Sequence, residues 1–354
     1  MIILFAILLF SFLIFIHELG HFVTAKLSGV RVNEFAVFMG PAIIKWQRGE
    51  TQYSIRCIPI GGYCAMEGEN GDSDDPRAFG RAKWWKRLCI LGAGSFMNFV
   101  VGVLLMVIVC LPMKQVVTPV ISEFEQFSTV NGENGLQVGD EILSVDGEKI
   151  FVQSDFSMLL AMNPSDRHDL VVRRNGEKVK LDNFLMEKHE VVDENGQTQM
   201  LYGLNFTLVE DVDFGTKMRC AWGETRNAMR TVRLSLQMLI SGDADFKDLT
   251  GPVGIVQMMS DTADASDSTA SAIINMLYFG GFIALNLALM NLLPIPALDG
   301  GRIVALVLTT GIEKITGKKI DPKYEGYIHG IGMVLLLVLM AVIMFKDIFM
   351  IFKR

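Results

Sequence analysis

Cysteine is scarce in this sequence: five residues in 354, an odd number, with no CxxC pair. They offer neither a disulfide framework nor a zinc knuckle of that type. Cys57, Cys64, Cys89, Cys110 and Cys220 read as small apolar or free thiols. Basic clusters interleaved with aromatics are also missing, and the formal net charge is −7, so no nucleic-acid partner is expected. The first apolar stretch lacks a basic leading segment and a small-x-small cleavage site. It is also too long for a secretory signal, so it is expected to be retained.

What the chain has in quantity is apolar length. Hydrophobic residues make up 51% of it, more than is usual for a soluble protein of this size. A spanning helix needs roughly 20 apolar residues. Met1–Ala25, Leu88–Leu111, Ser271–Leu298 and Ile328–Phe345 meet or approach that length. The expected fold class is a polytopic α-helical membrane protein with four transmembrane helices, and both termini on one side. Lysine and arginine concentrate between spans one and two (Arg81, Lys83, Lys86, Arg87) and between spans three and four (Lys314, Lys318, Lys319, Lys323). By the positive-inside rule these loops face the cytoplasm, although Lys346, Lys353 and Arg354 mildly oppose this.

Two inserted regions depart from the helical pattern. VNEFAVFMGPAIIKW and TQYSIRCIPIGGYCAM alternate like strands around the turn RGET. They predict a β-hairpin at the cytoplasmic membrane surface, with an ordinary soluble loop as the alternative. Residues 112–212 are polar, with short β-rich runs and the turn pairs Asn131-Gly132, Asp146-Gly147 and Asn175-Gly176. Within them GLQVGDEILSVDGEKI, Gly135–Ile150, resembles the core signature of bacterial PDZ domains, and Val171–Leu181 reads as a hairpin. A PDZ domain implies either capture of an extended peptide by strand addition or simple obstruction of access. Residues 217–240 carry apolar positions at helical spacing with arginines between. They predict an amphipathic helix, lying at a membrane surface or packed on the β-rich domain. Residues 243–270 are expected to be exposed around GPVGI. The expected organisation is helix one at 1–27, the cytoplasmic hairpin loop at 28–87, helix two at 88–111, the extracytoplasmic domain at 112–212, the amphipathic and connecting segment at 213–270, helix three at 271–308, a cytoplasmic loop at 309–327, and helix four with its tail at 328–354.

Span one contains HELGH, a costly sequence for hydrocarbon. Residues i and i+4 share a helix face, so His17 and His21 can hold one zinc ion, and Glu18 can take a proton from a metal-bound water. Catalytic zinc usually has three protein ligands and a water. At roughly 1.5 Å per residue, the two histidines lie about 25–30 Å into span one, and Asp299 lies at a similar depth along span three, which runs the same way. Asp299 is thus the candidate third ligand, all three falling in the inner part of the membrane. In NLLPIPALDGG, Pro294 and Pro296 break the helix, which is tolerated at that depth only when buried or lining a cavity. Gly300 and Gly301 permit a close backbone approach.

HELGH in the first span, the PDZ-like insertion after the second and NLLPIPALDGG in the third resemble the site-two protease family of intramembrane zinc metalloproteases. Within it, the layout is similar to the bacterial RseP/RasP-type regulators of sigma-factor activation, across nearly the whole chain. The resemblance implies Zn2+ held by His17, His21 and Asp299, Glu18 as the catalytic base, and Asn286 and Asn291 contacting the substrate backbone or the developing oxyanion. It implies an endopeptidase that cuts transmembrane segments of single-span proteins such as anti-sigma factors or signal-peptide remnants. The hairpin would offer an edge to the substrate, and a single PDZ domain would filter by size. The protein is expected to be a monomer in the lipid bilayer of a bacterial plasma membrane, its PDZ domain outside and its active site towards the cytoplasm. One departure occurs: where family members commonly carry Gly-Pro before an Asn in span two, this chain has Gly94-Ser95 and then Asn98. Rival readings are a membrane-anchored zinc peptidase acting on soluble peptides, a transporter, and a non-enzymatic PDZ scaffold.

Overall fold

In a computed structural model, the structure describes residues 2–353 apart from 70, 72, 133–134, 164, 193–197, 243–250, 265, 267 and 318–321. Four helices are long and apolar enough to cross a membrane: α1 (Ile2–Ser28), α2 (Trp84–Cys110), α6 (Thr269–Asn291) and α8 (Pro322–Lys353). Lys318 and Lys319 of the basic loop lie outside the described residues. The expected third span of 271–308 is two helices. α6 stops at Asn291, and α7 (Asp299–Thr316) starts afresh after the prolines. Proline cannot donate to the preceding turn and forces its neighbour out of the helical region.

The chain divides into two compact units, Met1–Leu105 with Ala228–Arg354, and Met106–Asn227. In the first, the segment between α1 and α2 is more than a hairpin. Strands β1 (Val32–Arg48) and β2 (Thr51–Met66) each bend, so Ala36 pairs with both Ser54 and Tyr63. The result is four strand segments in the order 42–48, 51–56, 32–37, 62–66. The bends fall where the backbone turns left-handed, at Phe38 (φ 72°), Gly40 (84°) and Gly61 (85°), a region that glycine enters without steric cost. Nor does this sheet stop at the end of α1. Ser11, in the first half of that helix, donates to the Pro59 carbonyl at 2.6 Å. Phe35, Cys64 and Met66 pack with Ala25 of α1, Ile90 and Leu91 of α2 and Leu306 of α7 in one apolar cluster.

A polar knot fixes the bends. Glu34 Oε1 accepts from Ser54 Oγ (2.7 Å) and Arg56 Nη2 (2.8 Å), and Arg56 also reaches the Gly40 carbonyl (2.7 Å) and the Tyr63 hydroxyl. Burial pushes the Glu34 carboxyl up, but donors from Ser54, Arg56 and Tyr63 outweigh it and bring it down to about 2. A carboxylate depressed in the fold stabilises it fully above its ordinary range near 4.5, and that stabilisation is lost as pH falls through about 2. Protease sensitivity of the sheet is therefore expected to stay flat from neutral pH down to about pH 5 and to rise below it. Glu34→Gln should remove the part due to Glu34 and leave that of Glu50, Glu67 and Asp75, whose carboxyls are also held below their ordinary range by Lys26, Ser73 and the Arg77 backbone N–H.

Helix α5 (Pro252–Asp264) corrects the expectation of an exposed GPVGI. Gly251 and Met259 are buried. The N–H groups of Gly251 and Gly254 donate to Asp347 Oδ2 of α8 at 2.9 and 3.0 Å. A carboxylate there answers the unpaired donors and positive dipole end of a helix start.

The second unit is built on a six-stranded sheet with its main path β10-β3-β4-β6-β7. β3 (Gln115–Phe124), β4 (Glu141–Val145), β6 (Arg167–Arg174), β7 (Glu177–Leu185) and β10 (Leu204–Glu210) form that path, β5 (Glu148–Lys149) pairs with β4, and β8 (His189–Val192) pairs with β9 (Thr198–Leu201) in a sheet of their own. Asp146-Gly147 and Asn175-Gly176 make the tight turns between β4 and β5 and between β6 and β7, all four residues at positive φ. Ile121, Ile142, Val145, Leu170 and Val172 fill the core beneath α3 (Gln153–Met162). Asp155 starts that helix by accepting from the N–H of Phe151 (2.5 Å) and of Val152 (3.1 Å). The buried Asp140 takes two bonds from Arg174, 2.9 and 2.7 Å, and tethers the GLQVGD turn. Helix α4 (Phe214–Ser241) begins here. Ser154 bonds Glu224 at 3.0 Å, and Arg226 stacks 3.9 Å over Phe151, so its first half packs on the start of α3.

Candidate metal centre

His17 and His21 lie one turn apart on α1, their Nε2 atoms 3.2 Å from each other. Asp299, the first residue of α7, brings Oδ2 to 3.1 Å from the His17 Nε2 and 3.3 Å from the His21 Nε2. His17 and His21 and, 278 positions beyond His21, Asp299 meet at one point, buried or half-buried.

The donor set fits a cation. The His21 Nδ1–H donates to the Ile90 carbonyl at 2.8 Å, which fixes the proton on Nδ1 and leaves the Nε2 lone pair free. If His17 holds the same tautomer, two lone pairs and a carboxylate oxygen face one another at hydrogen-bond range with no proton between them. That arrangement is repulsive without a positive charge. Asp299 Oδ2 is moreover buried without a hydrogen-bond partner, an expensive condition for a carboxylate. Two imidazoles and one carboxylate are a ligand set of catalytic zinc sites, which keep a further position open.

Asn98 of α2 faces the His17 ring and can serve that tautomer once its amide is turned. Its amide lies 3.4 Å from His17 Nδ1, and its Oδ1 is buried without a partner. A half-turn of the amide exchanges nitrogen and oxygen and gives the His17 Nδ1–H a carbonyl acceptor. The outward signals were an asparagine inside an apolar span and its place after Gly94-Ser95. The helices approach closely to allow this. A Cβ on Gly94 would fall 2.5 Å from His21 Nε2 and 2.7 Å from His17 Nε2, and one on Gly20 would fall 2.5 Å from the Ala93 carbonyl oxygen.

Glu18 shares the helix but not the cluster. It borders the sheet segment 62–66, where a Cβ on Gly62 would sit 3.6 Å from Glu18 Cγ. Asn291, the last residue of α6, places its amide nitrogen 3.5 Å from His17 Nδ1. Asn286 donates instead to the Phe282 carbonyl one turn back in its own helix, at 3.1 Å. One turn beyond Asp299, Arg302 pairs with Glu69 and ties α7 to the segment following β2.

A peptidase-type HExxH helix and a remote carboxylate, converging among apolar helices, define a membrane metallopeptidase centre. The chain belongs to peptidase family M50, which it matches over residues 5–339. It is 36% identical to a Clostridium acetobutylicum protein provisionally named a zinc metalloprotease, over 97% of this chain and 96% of that one. A similarly named protein of Clostridium perfringens is 35% identical over 98% of both chains. The Bacillus subtilis regulator of sigma-W protease RasP is 28% identical over 97% of both.

Proposed function

We propose that the chain is a zinc-dependent endopeptidase that cuts the transmembrane segments of single-span membrane proteins. The observation that carries this is the location of the metal ligands: His17 and His21 lie inside a helix apolar enough to span a membrane, and Asp299 lies just past the end of another. A metallopeptidase built to act on soluble peptides has no need of this placement.

His17 and His21, through Nε2, and Asp299, through Oδ2, would hold the zinc. When bound, zinc polarises the scissile carbonyl and acidifies the attacking water. Glu18 takes the proton from that water and later delivers it to the leaving amine nitrogen. A transmembrane substrate has its backbone groups bonded within its own helix and must unwind before it is cut, which leaves them unpaired in a water-poor setting. The sheet segment 62–66 beside Glu18 can replace those bonds by pairing with the unwound strand. Asn291 supplies an amide donor for the substrate backbone or the oxyanion, and Asn286, whose amide already donates to the Phe282 carbonyl, would have only its second N–H to offer.

The second unit serves, in this reading, as a PDZ domain outside the cytoplasm that screens substrates by the size of their external portion. Its support is the GLQVGDEIL signature and the terminal strand β10, whose outer edge pairs with no strand among the described residues and can take one by strand addition. The basic clusters then face the cytoplasm. Lys86 among them donates to the Ser28 carbonyl at 2.8 Å, so the end of α1 and the start of α2 lie together. Anti-sigma factors are the favoured substrate type, in line with the name of the Bacillus subtilis relative.

The test uses the purified full chain and two tagged single-span substrates, one with a folded external domain and one without. Cleavage of the short substrate should be faster, should stop with a chelator and should return with zinc. Equal rates for the two would remove the size filter. Chelator-resistant cleavage would remove the metal mechanism.

A further inference from the structure

Between α6 and α7 the chain has seven residues, 292–298, in which to turn and deliver Asp299. The turn is tight. A Cβ on Gly300 would lie 2.2 Å from the Leu292 carbonyl oxygen, and one on Gly301 would lie 2.3 Å from that of Ile295. Its strained point is Ala297, at φ 80°. A residue with a Cβ enters the left-handed region only when its surroundings hold it there.

The holding contact comes from α8. The Ala297 N–H donates to His329 Nδ1 at 3.0 Å. Three residues along the same helix, Gly332 meets the neighbouring Pro296. An added Cβ would fall 2.4 Å from the Pro296 Cβ and 2.9 Å from its carbonyl carbon. Positions i and i+3 share a helix face, so one face of α8 both bonds and abuts the two residues that precede Leu298 and Asp299. Asp299 Oδ2, two residues past Ala297, meets both His17 and His21, and a metal held between them tolerates only about 0.2 Å in each ligand distance.

We propose that His329 is a positioning residue for the metal centre: by accepting the Ala297 N–H it holds the Pro296-Ala297 turn left-handed and so fixes Asp299 as the third ligand. Gly332 acts with it by letting α8 close on Pro296. The last spanning helix, none of whose described residues joins the cluster of His17, His21 and Asp299, thereby controls the ligand set. This inference rests on reading His17, His21 and Asp299 as the metal site.

The test is metal binding by the full-length protein in detergent, with zinc or cobalt(II) competed against a chromogenic chelator. His329→Ala should weaken binding about 10- to 100-fold, the range for loss of a group that orients a ligand. It should also shift the visible absorption of bound cobalt, because the carboxylate no longer holds its place. His329→Asn, whose amide oxygen can stand where Nδ1 stands, should restore both. Ala297→Gly added to His329→Ala should recover part of the affinity, since glycine adopts the left-handed turn unaided. Gly332→Ala, which leaves His329 intact, should weaken binding independently by displacing Pro296. Wild-type affinity and an unchanged cobalt spectrum in both His329→Ala and Gly332→Ala would overturn the proposal. So would weakened binding that neither His329→Asn nor the added Ala297→Gly relieves. If the wild type itself binds neither metal, the metal reading fails and takes this one with it.

Discussion

Gly94→Ala should weaken metal binding severely and activity with it, while Gly92→Ala, two residues away on the same helix, should change neither. A methyl group at 94 would stand 2.5 Å from His21 Nε2, 2.6 Å from His17 Cε1 and 2.7 Å from His17 Nε2. Those nitrogens are the ones that face the metal position, and no bonded carbon fits so near them. The rings cannot simply step aside, because His21 Nδ1 is held by the Ile90 carbonyl and the His17 Nδ1 faces Asn98. A Cβ on Gly92 meets nothing within 4 Å. The variant at 94 should lose about 100-fold or more in zinc affinity, at or beyond the upper end of what orienting residues around metal ligands cost. Chelator competition on the two purified variants checks this. Equal affinities would mean that α1 and α2 do not meet at the histidines.

Glu18→Gln separates binding from chemistry. Glu18 follows His17 directly but takes no part in the cluster of His17, His21 and Asp299. Zinc content should therefore stay at the wild-type level. Turnover should fall about 10²- to 10⁴-fold, the contribution of a positioned proton-transfer group. The neutral amide keeps the shape of the side chain, so KM should change little while kcat carries the loss. Zinc analysis and initial rates on the same preparation read both quantities. A variant that loses its zinc would make Glu18 a ligand or a structural support. A fully active variant would assign the proton transfer elsewhere.

Much of the centre was legible because its signals are local. Long apolar runs mark α1, α2, α6 and α8, and the i, i+4 spacing of HELGH marks a shared helix face. Pro294 and Pro296 announce the break between α6 and α7. What escaped depends on partners far apart in sequence. The alternation of residues 32–66 suggests two strands, but nothing local says that each bends at Phe38–Gly40 or Gly61 so that 32–37 is flanked on both sides. GPVGI reads as exposed because the segment 243–270 around it is acidic and rich in small residues, while its acceptor, Asp347, lies 93 to 96 residues away. The departure at Gly94-Ser95 marks the run before Asn98, but the contact of Asn98 with His17 shows only once α1 lies beside it. Ala297 gives no sign of a left-handed backbone, since the usual markers there are glycine and asparagine.

The most direct measurement is the position of the cut. The wild-type protein and Glu18→Gln are each reconstituted with an isotope-labelled single-span substrate in lipid vesicles, and the products are weighed by mass spectrometry. Cleavage within the apolar span, by the wild type alone and only with zinc present, is the expected result. Products cut only in the soluble flanks, with zinc bound and Glu18 still required, would contradict an active site that works inside the membrane.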